Sequence, residues 1–281
     1  MKWQRGYESS NVEDRRGAGG GRLPGGRLGL GGIVVLLILS LLFKRDFLSL
    51  AGDLTGGAPA GAPSGEVVSS PEEDSTKQFI SYVLDDAQAT WEGIFTGNGS
   101  EYPDARLVLF RDGVQSACGF AESATGPFYC PGDQQVYIDL GFYDELRDRF
   151  GAPGDFAQAY VLAHEIGHHV QRLLGTEAEV RRLQQRNPRQ ANALSVALEL
   201  QADCYAGVWA QSAQARGLLE TGDIEEGLDA AASVGDDRIQ RMGGGYVNPD
   251  AFTHGSAEQR SEWFRRGLAS GDPAQCDTFR E

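Results

Sequence analysis

The sequence predicts an α+β fold, in which a small sheet is followed by a mostly helical half, with one transmembrane helix near the N-terminus. Three observations lead to this prediction. Short runs rich in β-branched and aromatic residues lie between residues 106 and 139. Apolar residues with helical spacing dominate from residue 155 onward. An uncharged apolar run, Leu28–Phe43, precedes both parts.

The first 43 residues predict a tail and an anchor. Residues 1–27 are rich in Gly and Arg and lack hydrophobic periodicity, so we expect a disordered tail. The run Leu28–Phe43 spans about 24 Å as a helix, slightly less than the roughly 30 Å of a bilayer core. A cleaved signal peptide is the alternative, but Lys44 and Arg45 directly after the run disfavour it. The arginines before the run place the N-terminus in the cytoplasm and the following domain outside the cell membrane.

Charge and composition indicate where the linker ends and what kind of domain follows it. The first 50 residues hold eight Lys/Arg and four Asp/Glu, which gives a net charge of +4. Because the whole chain has a net charge of −15, the other 231 residues carry −19. Nucleic acid needs a basic binding face, so we expect the acidic domain to bind none. Gly, Ala, Pro and Ser at 52–75 indicate a linker. The predicted regions are therefore a tail at 1–27, a transmembrane helix at 28–43, a linker at 44–76 and a domain at 77–281.

Within the domain, the elements follow from periodicity and turn residues. A helix is predicted over 78–95, a buried strand over 106–110, and two further strands at 128–130 and 135–139 around a Pro-Gly-Asp turn. Helices are then predicted at 142–150, 155–174, 177–186, 189–213, 223–241 and 256–269. Strands that precede a run of helices are typical of the α+β class.

The most informative motif is His-Glu-Ile-Gly-His-His at residues 164–169, inside an apolar and proline-free run. His164 and His168 lie one helical turn apart, so both imidazoles can bind one metal ion, and Glu165 can take a proton from a metal-bound water. A helix with a solvated His/Glu face that binds nothing is the alternative. Gly167 costs roughly 1 kcal/mol of helix propensity relative to alanine, which indicates that it makes room for a neighbouring helix or a third ligand.

The third ligand must come from elsewhere, because catalytic zinc takes three protein ligands and leaves one position for water. The apolar run 196–210 carries Glu199 and Asp203 on one helix face, where carboxylates are costly to bury unless they are paired or bind a metal. We predict that Glu199 is the ligand and that Asp203 accepts the ring N–H of His164. A carboxylate pair at the edge of a buried stripe is the alternative. Weaker candidates for the ligand are His169, Asp203, Cys204 and His254.

The four cysteines form no Cys-x-x-Cys pair, so a cysteine zinc site is not expected. An even number in an exported domain favours disulfides, and three pairings are possible. Cys118 and Cys130 flank a Gly-Pro turn and make the natural local bridge, which leaves Cys204 to pair with Cys276. Free buried thiols are the alternative.

Several motifs together resemble the bacterial neutral zinc metallopeptidase family, which is assigned as membrane-anchored. They are His164–Gln171, Glu199–Asp203, Thr253–Arg260, Ser10–Gly17 and Gly126–Pro131. The resemblance covers nearly the whole chain except the linker at about 52–75. It implies a zincin-like metallopeptidase domain with zinc as cofactor and a peptide or protein as substrate. The family's motif pattern in turn resembles that of the gluzincins, in which a glutamate on a downstream helix, here Glu199, is the third zinc ligand.

The predicted reaction is hydrolysis of a peptide bond by a zinc-bound water that Glu165 activates. His254, or less favourably Arg260, would stabilise the oxyanion or contact the substrate. The alternative is that His254 packs at a helix start and Arg260 pairs with an acidic residue. A peptide could add as a strand beside Phe128 and Tyr129. The alternative functions are a zinc amidase acting on cell-wall peptide and a membrane-anchored, zinc-stabilised module without catalysis; a structural site would need no general base such as Glu165.

Overall fold

The computed structural model describes residues 1–17 and 69–280 and confirms a mixed α+β architecture with a small sheet and a helical half. Four strands form the main sheet in the order β1-β2-β6-β5, and β3 and β4 form a separate hairpin. The strands are β1 (Val12–Asp14), β2 (Arg106–Phe110), β3 (Gly113–Ser116), β4 (Gly119–Glu122), β5 (Phe128–Cys130) and β6 (Gln135–Asp139). Because β5 runs antiparallel to β6 and has no second neighbour in this described sheet, it forms an edge.

Eight α-helices are described in these two ranges. They are α1 (Pro71–Gly97), α2 (Gly141–Asp148), α3 (Asp155–Leu174), α4 (Thr176–Arg186), α5 (Ala191–Ala215), α6 (Asp223–Ser233), α7 (Asp236–Met242) and α8 (Ala257–Ser270). The core forms where α5 packs against α3 and α8 and where α1 packs against α3. Buried residues of β2 and β6 belong to the same cluster. The buried aromatic rings of Phe156 and Trp209 stack there, with centroids 5.7 Å apart.

Three features of the fold differ from the prediction. The domain begins before residue 77, because Ser70 and Glu73 form a capping box that starts α1 at Pro71. The predicted helix at 223–241 is two helices, α6 and α7, separated at Val234 and Gly235. The hairpin β3–β4 was not predicted, since its strands have only four residues each and a mixed burial pattern.

The N-terminal segment is part of the domain, so the prediction of disorder over 1–27 is wrong for residues 1–17. Strand β1 pairs in parallel with β2, and the backbone N–H of Leu107 donates to the Asn11 carbonyl at 2.8 Å. Arg16 is buried and binds Asp14 at 2.7 Å. Strand β1 has one apolar residue, so the sequence shows no alternation there. The strand forms because it pairs with the buried strand β2.

This pairing also bears on the predicted membrane topology. The predicted span Leu28–Phe43 lies outside the described residues, and none of the helices within 1–17 and 69–280 is long and apolar enough to cross a membrane. Two hydrogen-bonded strands must lie on the same side of any bilayer. The paired strands β1 and β2 are therefore incompatible with an N-terminus in the cytoplasm and a domain outside, whereas anchoring as such stays a prediction.

Helices α5 and α8 cross at two glycines without intervening side chains. A Cβ atom added at Gly207 would lie 2.1 Å from the Phe264 carbonyl oxygen, and one at Gly267 would lie 1.9 Å from the Cys204 carbonyl oxygen. Both obstacles are backbone atoms of the opposite helix, which cannot rotate away. The close crossing brings Arg260 of α8 within hydrogen-bond distance of Asp203 of α5.

Two disulfides close the fold with the predicted pairing. Cys118 bonds Cys130 beside the β3–β4 hairpin, and Cys204 of α5 bonds Cys276 after α8. The second bridge joins residues 72 positions apart and holds the C-terminal segment against α5. Among the described residues no free cysteine is left.

We expect Gly267→Ala to destabilise the domain, because the new methyl group must displace a backbone carbonyl. Overpacking of this kind costs typically about 1–3 kcal/mol, which exceeds the gain in helix propensity of up to about 1 kcal/mol. Gly93→Ala is the matched control, since Gly93 lies in α1 with nothing within 4 Å of the added Cβ. Denaturant unfolding measures both variants. Equal stability of the two would contradict the close crossing of α5 and α8.

Candidate metal centre

Three side chains from two helices converge at the bottom of a cleft. His164 and His168 project from α3, and Glu199 projects from α5. The two Nε2 atoms are 3.1 Å apart, and the Glu199 carboxylate oxygens lie 3.2 Å from Nε2 of His164 and 3.5 Å from Nε2 of His168. All of these candidate ligand atoms lie within 4.8 Å of one another.

These separations fit a tetrahedral zinc ion. Zinc bonds of about 2.0–2.1 Å at tetrahedral angles place two ligand atoms roughly 3.3 Å apart. Each imidazole also uses its other nitrogen for a hydrogen bond, at 2.8 Å from His164 Nδ1 to Asp203 and at 2.9 Å from His168 Nδ1 to Gln171. Both Nε2 atoms therefore face each other and the Glu199 carboxylate. Acceptor atoms that face one another in this way need a shared proton or a bound cation between them.

A glycine on α3 permits this convergence. A Cβ atom at Gly167 would lie 2.9 Å from the Ala202 carbonyl oxygen of α5. The absence of a side chain at this position lets α3 and α5 approach closely between the ligand pair and Glu199. Of the two explanations proposed for Gly167, the structure shows room for a neighbouring helix.

Asp203 holds His164 and is itself held by a buried arginine. Arg260 donates to both carboxylate oxygens of Asp203, at 2.9 and 3.0 Å, and the Tyr160 hydroxyl donates to the same carboxylate. Burial alone would raise the pKa of Asp203, but Arg260 and His164 outweigh it and hold the pKa below its usual value. An ionised Asp203 is a strong acceptor for the Nδ1–H of His164, which fixes the ring orientation.

The charges around His164 also determine how readily it accepts a metal. Burial opposes protonation, yet Asp203 and Glu199 outweigh burial and raise the pKa of His164 to about 10. A metal ion must displace this proton to bind Nε2, so metal affinity falls as the pH falls. The pKa of Glu199 is lowered despite its burial, because His168 and His164 lie beside it.

The weaker candidates for the third ligand are all engaged elsewhere. His169 accepts from the Tyr129 hydroxyl at 2.9 Å and donates to the Pro103 carbonyl at 2.7 Å. Asp203 binds His164 and Arg260, and Cys204 is in a disulfide. His254 bonds Asp236 at 3.1 Å. Glu199 is therefore the carboxylate that completes the triangle.

A cleft of about 690 Å³ opens above the triangle. Glu165 lines it beside the two histidines, and among the described residues no side chain hydrogen-bonds its carboxylate. Phe128 and Tyr129 of the edge strand β5 form part of the wall. The remaining wall is mostly aromatic and aliphatic, with Phe142, Phe150, Leu198, Val234 and Ile239.

His254 and Arg260 have different surroundings. His254 is half-exposed in the cleft, and Asp236 orients it by accepting from its Nδ1 and its backbone N–H, the latter at 2.7 Å. Arg260 is 4% exposed and is committed to Asp203 and Tyr160. This placement fits the alternative role for Arg260, an ion pair with an acidic residue, rather than contact with a substrate.

Sequence reasoning missed four residues of the site: Tyr160, Gln171, Gln201 and Asp236. The first three lie on the same helices as the ligands, and Tyr160 and Gln171 precede and follow them at helical spacing. Polar residues in such strongly apolar runs are a usable signal, because they are rarely buried without a partner. Asp236 carried no such signal, because it lies in an acidic segment of ordinary composition.

The fold and the site together define a protein with a candidate metal centre on two packed helices. The chain belongs to the family described as "Putative neutral zinc metallopeptidase", whose model matches residues 1–279, and membership implies zinc as the cofactor. It is 50% identical to "Uncharacterized protein YpfJ" of Escherichia coli K12 over 289 residues, 99% of each chain. It is 45% identical to "Uncharacterized protein Rv2575" of Mycobacterium tuberculosis over 202 residues, 68% of this chain and 66% of that protein. No solved structure matches the chain.

We expect one zinc ion per chain and a large loss of affinity in Glu199→Ala, because the substitution removes one of three ligands. Metal analysis and competition with a chelator measure the stoichiometry and the affinity. Glu92→Ala, on the exposed surface of α1, is the control. A Glu199→Ala variant that binds zinc as tightly as the wild type would exclude Glu199 as a ligand.

Proposed function

We propose that the protein is a zinc-dependent endopeptidase that hydrolyses peptide bonds at this centre. The observation that carries the proposal is the Glu165 carboxylate in the cleft beside His164, His168 and Glu199, with no hydrogen-bonding side chain among residues 1–17 and 69–280. A site that served only to stabilise the fold would need no free carboxylate next to the ligands and no open cleft. Membership of the family supports the class of reaction.

In this proposal, Glu165 is the general base and then the general acid. His164, His168 and Glu199 would hold the zinc ion, which when bound would lower the pKa of a water ligand from about 16 toward 7 and polarise the substrate carbonyl. Glu165 accepts the proton from the attacking water and delivers it to the leaving amine. Its position, one residue after the ligand His164, keeps its side chain at the cleft rather than in the ligand triangle.

His254 is proposed to stabilise the developing oxyanion. Because Asp236 accepts the Nδ1–H of His254, the ring can stabilise an oxyanion only in its protonated form, in which Nε2–H is a donor. The backbone N–H groups of Thr253, His254 and Gly255 all donate to Asp236, at 2.7, 2.7 and 3.2 Å. This loop is therefore rigid at the point where the ring enters the cleft.

The edge strand β5 gives the substrate a place to bind. An extended peptide can add to a free strand edge through main-chain hydrogen bonds, while pockets select its side chains. The Tyr129 hydroxyl bonds His169 of α3, which fixes β5 relative to the metal ligands. The aromatic and aliphatic wall suits an apolar side chain of the substrate. We therefore propose unfolded or extended peptides with apolar residues as the substrate class.

We expect Glu165→Gln to slow hydrolysis by about a hundredfold or more, since the amide keeps the size of the side chain but cannot accept the proton. Zinc content and thermal stability should match the wild type. The measurement uses unfolded casein and a peptide library, with Glu92→Gln on the exposed face of α1 as the matched control. If Glu165→Gln cleaves as fast as the wild type, this site is not the hydrolase centre. A zinc-loaded wild type that cleaves no peptide would favour a binding module, and cleavage of cell-wall peptide alone would favour an amidase.

We expect His254→Ala to lower kcat by roughly a hundredfold with little change in KM, as is typical when an oxyanion donor is removed. Steady-state kinetics on a peptide that the wild type cleaves give both constants. An increase in KM at unchanged kcat would instead show that His254 contributes only to substrate binding.

A further inference from the structure

Two motif residues have no part in the reaction proposed above. Gln171 ends the run His164–Gln171, and Gln201 lies in the middle of Glu199–Asp203. Gln171 is fully buried and Gln201 is 6% exposed. A buried amide side chain is costly unless its oxygen and its NH₂ group are both hydrogen-bonded. These glutamines must therefore have partners inside the fold.

The two amides form a continuous relay that starts at a metal ligand. His168 Nδ1 lies 2.9 Å from Oε1 of Gln171. Nε2 of Gln171 donates to the Leu198 carbonyl at 2.7 Å and to Oε1 of Gln201 at 3.1 Å. Nε2 of Gln201 donates to the Cys276 carbonyl at 2.9 Å. The relay thus runs from the ligand pair through α5 to the C-terminal segment.

The direction of every bond in this relay is fixed by its ends. The carbonyls of Leu198 and Cys276 can only accept, so both amide NH₂ groups must face them. Oε1 of Gln171 then faces His168, and Nδ1 of His168 must carry a proton. Nε2 of His168 is consequently the nitrogen with the free lone pair, which is the tautomer that binds a metal.

The Cys276 carbonyl is held in place by a disulfide. Cys276 follows the short 3₁₀ helix Pro273–Gln275, and its bridge to Cys204 ties this segment to α5. The hydroxyl of Thr278 also links the segment to α5, because it donates to the Ala197 carbonyl at 2.6 Å. Cys204 directly follows Asp203, which orients the first ligand histidine. The bridge therefore connects the supports of both histidines.

We infer that Gln171 and Gln201 are positioning residues that orient His168 for the metal, and that the Cys204–Cys276 disulfide couples metal retention to the redox state. This inference rests on the metal centre of the proposed function but not on its hydrolytic activity. A dithiol reductant would transfer two electrons and two protons to the bridge, leaving two cysteine thiols and an oxidised reductant. The Cys276 carbonyl would then lose its covalent tether, and the relay would lose its fixed end.

The test is the zinc affinity of the purified full-length chain, measured by chelator competition without substrate. Loss of such supporting hydrogen bonds typically weakens metal binding about 10- to 100-fold. We expect this loss in Gln171→Leu and a similar or smaller loss in Gln201→Leu. Gln158→Leu, a half-buried position on the same helix α3, is the control and should bind zinc as the wild type does. Wild-type affinity in Gln171→Leu would overturn the inference.

The disulfide is tested in the same assay with paired serine variants, because free thiols would themselves bind zinc. Cys204→Ser with Cys276→Ser should weaken zinc binding, whereas Cys118→Ser with Cys130→Ser should not. Equal effects of the two pairs would overturn the redox coupling. A wild type that binds zinc but cleaves nothing leaves this test intact, whereas a wild type that binds no zinc overturns the metal centre and the relay together.

Gln171→Glu separates positioning from a general effect on folding. Its carboxylate still accepts from His168 Nδ1 but cannot donate to Leu198 or Gln201, so the metal-free domain should unfold at a lower temperature. If Gln171 positions His168, this variant should bind zinc more tightly than Gln171→Leu even though its fold is destabilised. If instead the variant with the lower unfolding temperature always has the weaker zinc affinity, Gln171 has a structural role alone.

Discussion

The buried carboxylate of Asp203 is the constraint on which the site depends, because it is shared by three helices. It lies on α5, accepts from His164 and Tyr160 of α3, and is bound by Arg260 of α8. A carboxylate buried this deeply is tolerated only when such partners surround it, and removal of one partner from a buried pair typically costs about 3–5 kcal/mol. The same contacts that orient His164, a candidate metal ligand, therefore also set the relative positions of the helices.

Backbone proximity makes this sharing possible. The glycines at 167, 207 and 267 allow three helices to approach so closely that short side chains can reach across. The two ligand histidines are then supported in different ways, His164 by an ion pair network and His168 by neutral amides that end on carbonyls. An anionic support makes an imidazole a stronger ligand than a neutral one does. The two halves of the ligand pair are thus chemically distinct despite their symmetric spacing.

Much of this arrangement follows from local patterns in the sequence. The two site helices, strand β2 and the Cys118–Cys130 bridge could be predicted, because periodicity, turn residues and cysteine spacing act over short distances. The Cys204–Cys276 bridge could be predicted only because the local bridge left these two cysteines. Glu199 could be predicted as the third ligand because a carboxylate on an apolar helix face is costly to bury without a partner, and the family resemblance implies the same role. Strand β1, the pairing of Arg260 with Asp203 and the amide relay depend on contacts between residues far apart in the chain. No local pattern in a single sequence encodes such contacts.

Strand β1 has a practical consequence for producing the protein. A chain shortened to begin after the apolar run would lack β1 and leave β2, whose residues Leu107–Phe110 are buried, with an unpaired edge. Unpaired edges of hydrophobic strands promote aggregation. Arg16 lies within 4.0 Å of Glu73 near the start of α1, so the two ends of the undescribed segment are close together. A chain that keeps residues 1–17 and joins them to residue 69 by a short linker would therefore retain all four strands of the described sheet.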